Sequence, residues 1–244
     1  MPYRRLPNTD AARKRAMEIA YVVGQEQSPK SLAYSQILLH KLQVIIPQFN
    51  NAVVISGNSL KLKKSSSKTY NELKHKAKLY VQHFIKSIFM AIEREEMKES
   101  DKSFYQLPLN SKRVPKLDND SQIIKWGKTI VAGEAERCKL GGNALFSPKI
   151  TLVRMYVEKF EEIVFKYTKA LESYKRDNNL LKELRVLADE LIKKLWDEVG
   201  FTYRLLNDEE KFNKLVFYGI KFYFRKSEKS KNIEVYPELQ KYIA

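Results

Sequence analysis

The sequence predicts an all-α protein: an up-down helical bundle built from two duplicated three-helix units, followed by a small C-terminal helix and a β-hairpin. Three observations carry this expectation. Apolar residues recur at spacings of three, four and seven through most of the 244 residues, which is the period of helices with one buried face. Only 8 glycines and 8 prolines are present, too few for a turn-rich sandwich, a propeller or a glycine-loop nucleotide fold. The chain also repeats itself at a fixed offset.

The first helix is announced by Leu6-Pro7-Asn8-Thr9-Asp10. There Asn8 or Thr9 can accept from the free amides, and Asp10 suits the positive end of the helix dipole. It should run to about Gln25. Ser28-Pro29 opens a second helix with Leu32, Ile37, Leu38, Leu42 and Ile45 on its apolar face and Pro47 inside it, reaching about Leu62. The polar run Lys63-Lys64-Ser65-Ser66-Ser67-Lys68 reads as a hairpin turn. A third helix follows, with Tyr70, Leu73, Ala77, Tyr80, Phe84, Ile88 and Ile92 on one face.

Periodicity fails from Met97 to Asp118, where Pro108 and Pro115 mark a connector. Asp120 then caps a helix that continues through Ile123, Ile130 and Val131 to about Cys138, and Gly141-Gly142-Asn143 ends it. Ser147-Pro148 starts the next helix with a cap and a proline at the first helical position. That helix should reach Tyr174, turn at Asp177-Asn178-Asn179 and return along Leu180, Leu184, Leu187, Leu191, Leu195 and Val199. Asn207-Asp208 caps a short helix that Gly219 can end. Residues Ile220–Arg225 alternate as a strand does, and Ile233–Tyr236 can pair with them. Continued helix is the alternative for this last stretch.

The repeat appears at an offset of 111. Leu6, Asn8, Lys14 and Ile19 fall on Leu117, Asn119, Lys125 and Ile130. Phe49, Val53, Leu60, Lys64, Glu72, Leu73 and Ala77 fall on Phe160, Val164, Leu171, Lys175, Glu183, Leu184 and Ala188. Ser28-Pro29 and Ser147-Pro148 lie 119 apart, so register is expected to slip around the second helix. Any two amphipathic helices align apolar on apolar, but caps, turns and seams sharing one offset favour duplication. The division that follows is a first repeat at 1–99, a connector at 100–118, a second repeat at 119–206 packed on the first in one bundle with an approximate internal two-fold, and an appendage at 207–244.

Composition narrows the setting. With 43% apolar residues, 12 Phe, 14 Tyr and 2 Trp, the bulk of the chain is not disordered. The single cysteine, Cys138, cannot form an intrachain disulfide and points to a reducing, cytoplasmic environment. The sequence contains no apolar run of membrane-spanning length, and its start lacks the apolar core of a secretory signal. The net charge of +16 is uneven: residues 1–67 carry ten basic and three acidic side chains, and residues 148–206 carry twelve and ten. That local excess permits an anionic partner without identifying one.

Chemical motifs are thin. A di-metal bundle needs two Glu-x-x-His pairs, and only Glu72 with His75 qualifies; the repeat puts Val186 where the second histidine would stand. Neither metal nor cofactor is expected. Gly127-Lys128-Thr129 ends like a phosphate loop, but Gln122 occupies the required earlier glycine and the stretch is helical. Cys138 has no histidine near it in sequence, which suits a structural thiol. Asp189, Glu190, Asp197 and Glu198 stand around Lys193 and Lys194 as solvent-facing ion pairs.

Two surfaces remain as candidates. Lys61, Lys63, Lys64 and Lys68 flank the expected turn and could hold nucleic-acid phosphates. Phe222 and Phe224, among Lys221, Arg225 and Lys226, could form an apolar patch for a protein partner.

The segments Pro2-Tyr3-Arg4-Arg5-Leu6-Pro7-Asn8-Thr9-Asp10-Ala11-Ala12-Arg13, Trp126-Gly127, Gly133-Glu134-Ala135, Ala188-Asp189-Glu190-Leu191-Ile192 and Trp196-Asp197-Glu198-Val199 resemble a family of bacterial all-helical proteins of unknown function. The resemblance covers most of the chain and implies a helical fold, with no activity, ligand or catalytic residue attached. The functional expectation is therefore a non-catalytic interaction or scaffold protein with a protein partner. A nucleic-acid-associated protein using the basic first quarter is the alternative, and an enzyme a distant third.

Overall fold

The computed structural model describes residues 3–223. The fold is all-α. β1 is Tyr3–Arg4 and α1 Asp10–Glu26; α2 spans Gln36–Glu93, and a 3-10 helix covers Glu99–Tyr105. α3 is Asp120–Lys139, α4 Ile150–Thr202, α5 Asp208–Phe217 and β2 Phe222–Tyr223.

The expected hairpin turns are absent. α2 passes unbroken through residues 63–68, and α4 through 177–179, so each predicted pair of helices is one long helix. Serine and asparagine cost a helix well under about 1 kcal/mol each relative to alanine. Without glycine or proline beside them, three in a row do not break the helix. Pro47 lies inside α2 as read. The entries differ from expectation too: residues around Ser28-Pro29 and Ser147-Pro148 are loop, and the long helices begin at Gln36 and Ile150.

The caps are local chemistry. Thr9 Oγ1 accepts from the Ala12 amide at 3.2 Å, Asn119 Oδ1 from Gln122 at 2.9 Å, and Asn207 Oδ1 from Glu210 at 2.8 Å. Each satisfies an amide that the helix leaves without a partner. At α3 the cap is Asn119, and Asp120 is the first helical residue.

Contacts divide the described residues into two compact units, one within 3–58 and 175–223 and the other 59–174. Each takes part of both long helices, so the units do not coincide with the sequence repeats 1–99 and 119–206. In the first unit, Met17, Ala20 and Val23 of α1 pack with Leu42 and Phe49 of α2 and with Ala188, Ile192 and Val199 of α4. α5 is no loose appendage: Leu215, Tyr218 and Ile220 are buried in that same cluster. In the second unit, Ile123 and Ile130 of α3 pack with Phe84, Ile85 and Ile88 of α2 and Val153 and Phe160 of α4. The presumed connector is also core here, contributing Met97, Tyr105, Leu107 and Leu117. Buried side chains thus gather into two clusters.

Along the long helices the offset of 111 joins positions of equal depth: Phe49 and Phe160, Ala77 and Ala188, Phe84 and Leu195, Ile88 and Val199 are all buried. Along α1 and α3 it does not, since Ile19 is 36% exposed and Ile130 is 0% exposed. There the matching shift is 110, which joins the caps Thr9 and Asn119 and the core residues Ala20 and Ile130. One extra residue between the matched cores of α3 and α4, relative to those of α1 and α2, accounts for it.

The hairpin expected at the C-terminus is replaced in part. β2 pairs antiparallel with β1, Tyr3 opposite Tyr223 and Arg4 opposite Phe222, while Ile233–Tyr236 lie outside the described residues.

Ion pairs tie each short helix to a long one. In the first unit the Asp10 carboxylate accepts from Arg185 Nε at 2.7 Å and Nη2 at 2.6 Å. In the second, Lys74 Nζ lies 2.8 Å from Asp120 Oδ1. The bonds from Arg185 hold the Asp10 carboxyl below the usual carboxylate range. A group with a folded pKa below its unfolded value stabilises above that unfolded value, and the contribution fades as pH falls through the folded one. Asp10→Asn is therefore expected to cost about 1–2 kcal/mol at neutral pH. The difference from the parent should shrink below about pH 4, as denaturant midpoints across pH will report.

Candidate functional site

The residues singled out from sequence do not converge. Lys61, Lys63, Lys64 and Lys68 lie on α2, not on a turn. Lys61, Lys64 and Lys68, at spacings of three and four, form one exposed row. Lys63 faces another way, its ammonium 4.9 Å from the centre of the Tyr174 ring. Among the described residues none of the four forms an ion pair. Phe222 is half-buried, packs on the first core and lies 4.7 Å from the Phe212 ring, so it closes the core more than it offers a surface. Phe224 lies outside the described residues.

Glu72 and His75 are both exposed on α2, and no group of three or more metal-ligating side chains gathers among the described residues. Cys138 is half-buried, and burial, reinforced by Glu134, pushes its thiol pKa up, the wrong direction for a nucleophile. The acids of α4 do not pair with Lys193 and Lys194. Asp189 takes Arg13 in a fork, 2.8 Å on both arms; Asp197 takes Arg4; Glu198 accepts from the Ser35 amide at 2.7 Å.

What the structure does assemble is a buried tyrosine network in each unit. Tyr105 and Tyr218 are both 0% exposed. Each is followed by a left-handed residue, Gln106 (φ 55°) or Gly219 (φ 81°), which turns the chain and returns Leu107 or Ile220 to the core. In the first unit the partners are neutral: the Tyr218 hydroxyl donates to Gln27 Oε1 at 2.6 Å and accepts from the Ala33 amide at 3.2 Å. Burial raises the Tyr218 pKa to about 12.

In the second unit the partners are charged. Tyr105 donates to the Glu134 carboxylate and accepts from Arg137 Nε at 2.8 Å. Arg137 Nη2 reaches Glu134 Oε1 at 3.0 Å and the Asn143 carbonyl at 2.6 Å. The Leu145 amide donates to Glu134 Oε1 at 2.9 Å. Burial first, then Glu134, drive the Tyr105 pKa far up, so the phenol remains protonated and donating. Such a network fixes the loop after α3 and leaves little proton-transfer capacity.

That loop forms one wall of a cleft of about 800 Å³. The other wall is the α2 stripe His83, Lys86, Ser87 and Met90 with Arg94 just past the helix end, and Arg137 also lines the cleft. The first unit has a corresponding cleft of about 500 Å³, where the offset of 111 puts Asp197 for Lys86, Glu198 for Ser87 and Phe201 for Met90. One cleft is basic and the other acidic.

A third depression, of about 570 Å³, lies in the first unit between residues 37–45 of α2 and 187–194 of α4. Ile37 is 67% exposed, Val44 57% and Leu187 48%, over a floor of buried Leu38 and Leu191. Its rim carries His40, Lys41, Glu190 and Lys194. Sequence periodicity named Ile37 and Leu187 as core along with Leu191, which is core, because an apolar residue beside a buried seam looks the same whether or not something covers it. No helix among the described residues is long and apolar enough to cross a membrane. Comparison with protein-family models, with curated proteins and with solved structures found no match for the chain.

Proposed function

We propose that the protein is a non-catalytic helical interaction protein, built from a duplicated helical unit, and that it docks an acidic amphipathic helix of a protein partner in the groove beside Val44. The carrying observation is the apolar row Ile37, Val44 and Leu187 above a buried floor, with a polar rim. Such patches suit partner binding more than solvent. Ile37 and Val44 stand seven residues apart, about 10.5 Å along the helix, which matches anchors two turns apart on a bound helix. Lys41 and Lys194 outnumber Glu190 on the rim, and among the described residues none of the three is in an ion pair. Their charge favours acidic side chains on the partner.

A photo-crosslinking residue at position 44, activated in native lysate, tests this once the captured peptide is sequenced. The expected peptide has apolar residues at helical spacing flanked by Asp or Glu, and as a purified peptide it should lose about tenfold or more in affinity for Val44→Glu. Equal capture from position 165, where Phe165 is also exposed, would sink the reading. So would tight binding of a 20-nucleotide DNA at physiological salt that falls steeply with added salt and disappears when Lys61, Lys64 and Lys68 become glutamine. That outcome favours the nucleic-acid alternative.

A further inference from the structure

We infer that the basic cleft of the second unit binds a small phosphomonoester with an apolar body, one per chain. The argument begins with Arg137. Its side chain is 6% exposed, and its nitrogens that are sealed from water take protein acceptors. Nε goes to Tyr105 and Glu134, and Nη2 to Glu134 and the Asn143 carbonyl. Among the described residues no acceptor meets Nη1, and Arg137 lines the cleft. The network thus holds an oriented guanidinium with one nitrogen left for a ligand.

The surroundings select the ligand. Lys86 stands exposed on the facing wall and, among the described residues, pairs with no carboxylate. Among the described residues Arg94 is held only by Glu96, at 3.0 Å and with both side chains 57% exposed, a pair that a stronger anion displaces cheaply. Arg137 is balanced by Glu134, so with Lys86 and Arg94 against Glu96, and His83 beside them, the cleft has an excess of one positive charge before any contribution from His83. A phosphate group complements that positive excess and accepts from several donors at once. At the lip Phe146 is 80% exposed and Met90 52%, and an apolar substituent on the phosphate would cover them. A volume of about 800 Å³ is that of a small-ligand pocket. The corresponding cleft of the first unit carries Asp197 and Glu198, which repel an anion, hence the stoichiometry of one.

Titration of the intact protein with phenyl phosphate by calorimetry and by amide chemical shifts tests the assignment. Expected are a dissociation constant below about 1 mM at low salt, one site, weaker binding of inorganic phosphate, and shifts confined to residues 83–97 and 137–148. Lys86 and Arg94 are exposed, so Lys86→Gln and Arg94→Gln leave the fold intact, and each should weaken binding about tenfold or more. No binding at about 10 mM ligand, two equal sites per chain, or unchanged affinity in the Lys86→Gln, Arg94→Gln double variant would overturn it. None of these results bears on the groove beside Val44, so the two proposals fail separately.

Discussion

Glu134→Gln is expected to destabilise the second unit by about 3–5 kcal/mol, read as the shift of its denaturant midpoint. The substitution keeps size and shape, so the loss is electrostatic. Glu134 is 1% exposed and accepts from the Tyr105 hydroxyl, from Nε and Nη2 of Arg137 and from the Leu145 amide. A neutral amide offers one acceptor oxygen where the carboxylate offers two, and it leaves the Arg137 charge buried without a counter-charge. Removing one partner of such a pair costs far more than the pair contributes, because the other ion can neither return to water nor lose its proton. Tyr105→Phe, which deletes one hydroxyl and keeps the pair, should cost only about 1–2 kcal/mol. Equal losses for the two variants would show that the charge is solvated and the network weaker than its geometry.

Gly133→Ala should cost about 3 kcal/mol, although alanine is the better helix former by about 1 kcal/mol. A Cβ at position 133 would stand 2.3 Å from the Phe104 carbonyl oxygen, 2.8 Å from its carbon and 2.9 Å from the Tyr105 ring. Two of those atoms are backbone and cannot rotate aside, so α3 and the 3-10 helix must separate. Gly57 supplies the control: it lies within α2 with nothing inside 4 Å of its Cβ position. Gly57→Ala should therefore stabilise by about 0.5–1 kcal/mol. Thermal melts of both variants check the opposite signs.

These two positions also show where sequence reasoning reaches. The apolar period identifies the buried faces of both long helices, since Ala77, Phe84, Ile88, Ala188 and Leu195 are all core, and side-chain caps mark the starts of α1, α3 and α5. Helix continuity is not legible in Lys63–Lys68 or Asp177–Asn179, because polar composition reports exposure, and a solvated helix and a turn share it. Tyr105 was hidden for a different reason. Its 3-10 helix has too few turns to show a period, and burial there comes from α3, with Gly133 admitting the close approach. Glu134 and Arg137 stand three apart on α3 like any surface ion pair. Their depth depends on residues about 30 positions away, which no local pattern encodes. The single trace was a pair of small residues, Gly127 and Gly133, on one helix, each now pressed against a neighbour.

From Leu60 to Lys76 α2 buries no side chain fully. Tyr70, stacked on Tyr167 at 4.7 Å, and the Lys63–Tyr174 contact are among its few tertiary ties. Elsewhere along α2, breaking a backbone hydrogen bond also exposes core, so local opening costs nearly as much as unfolding the unit around it. Here it costs little more than a helix–coil transition, with a free energy near zero for an isolated segment of this length. Opening around Ser65, Ser66 and Ser67 is therefore set by temperature and by their intrinsic preferences, and it stops at Tyr70, Leu73 and Lys74, which hold this helix to the second cluster and to Asp120.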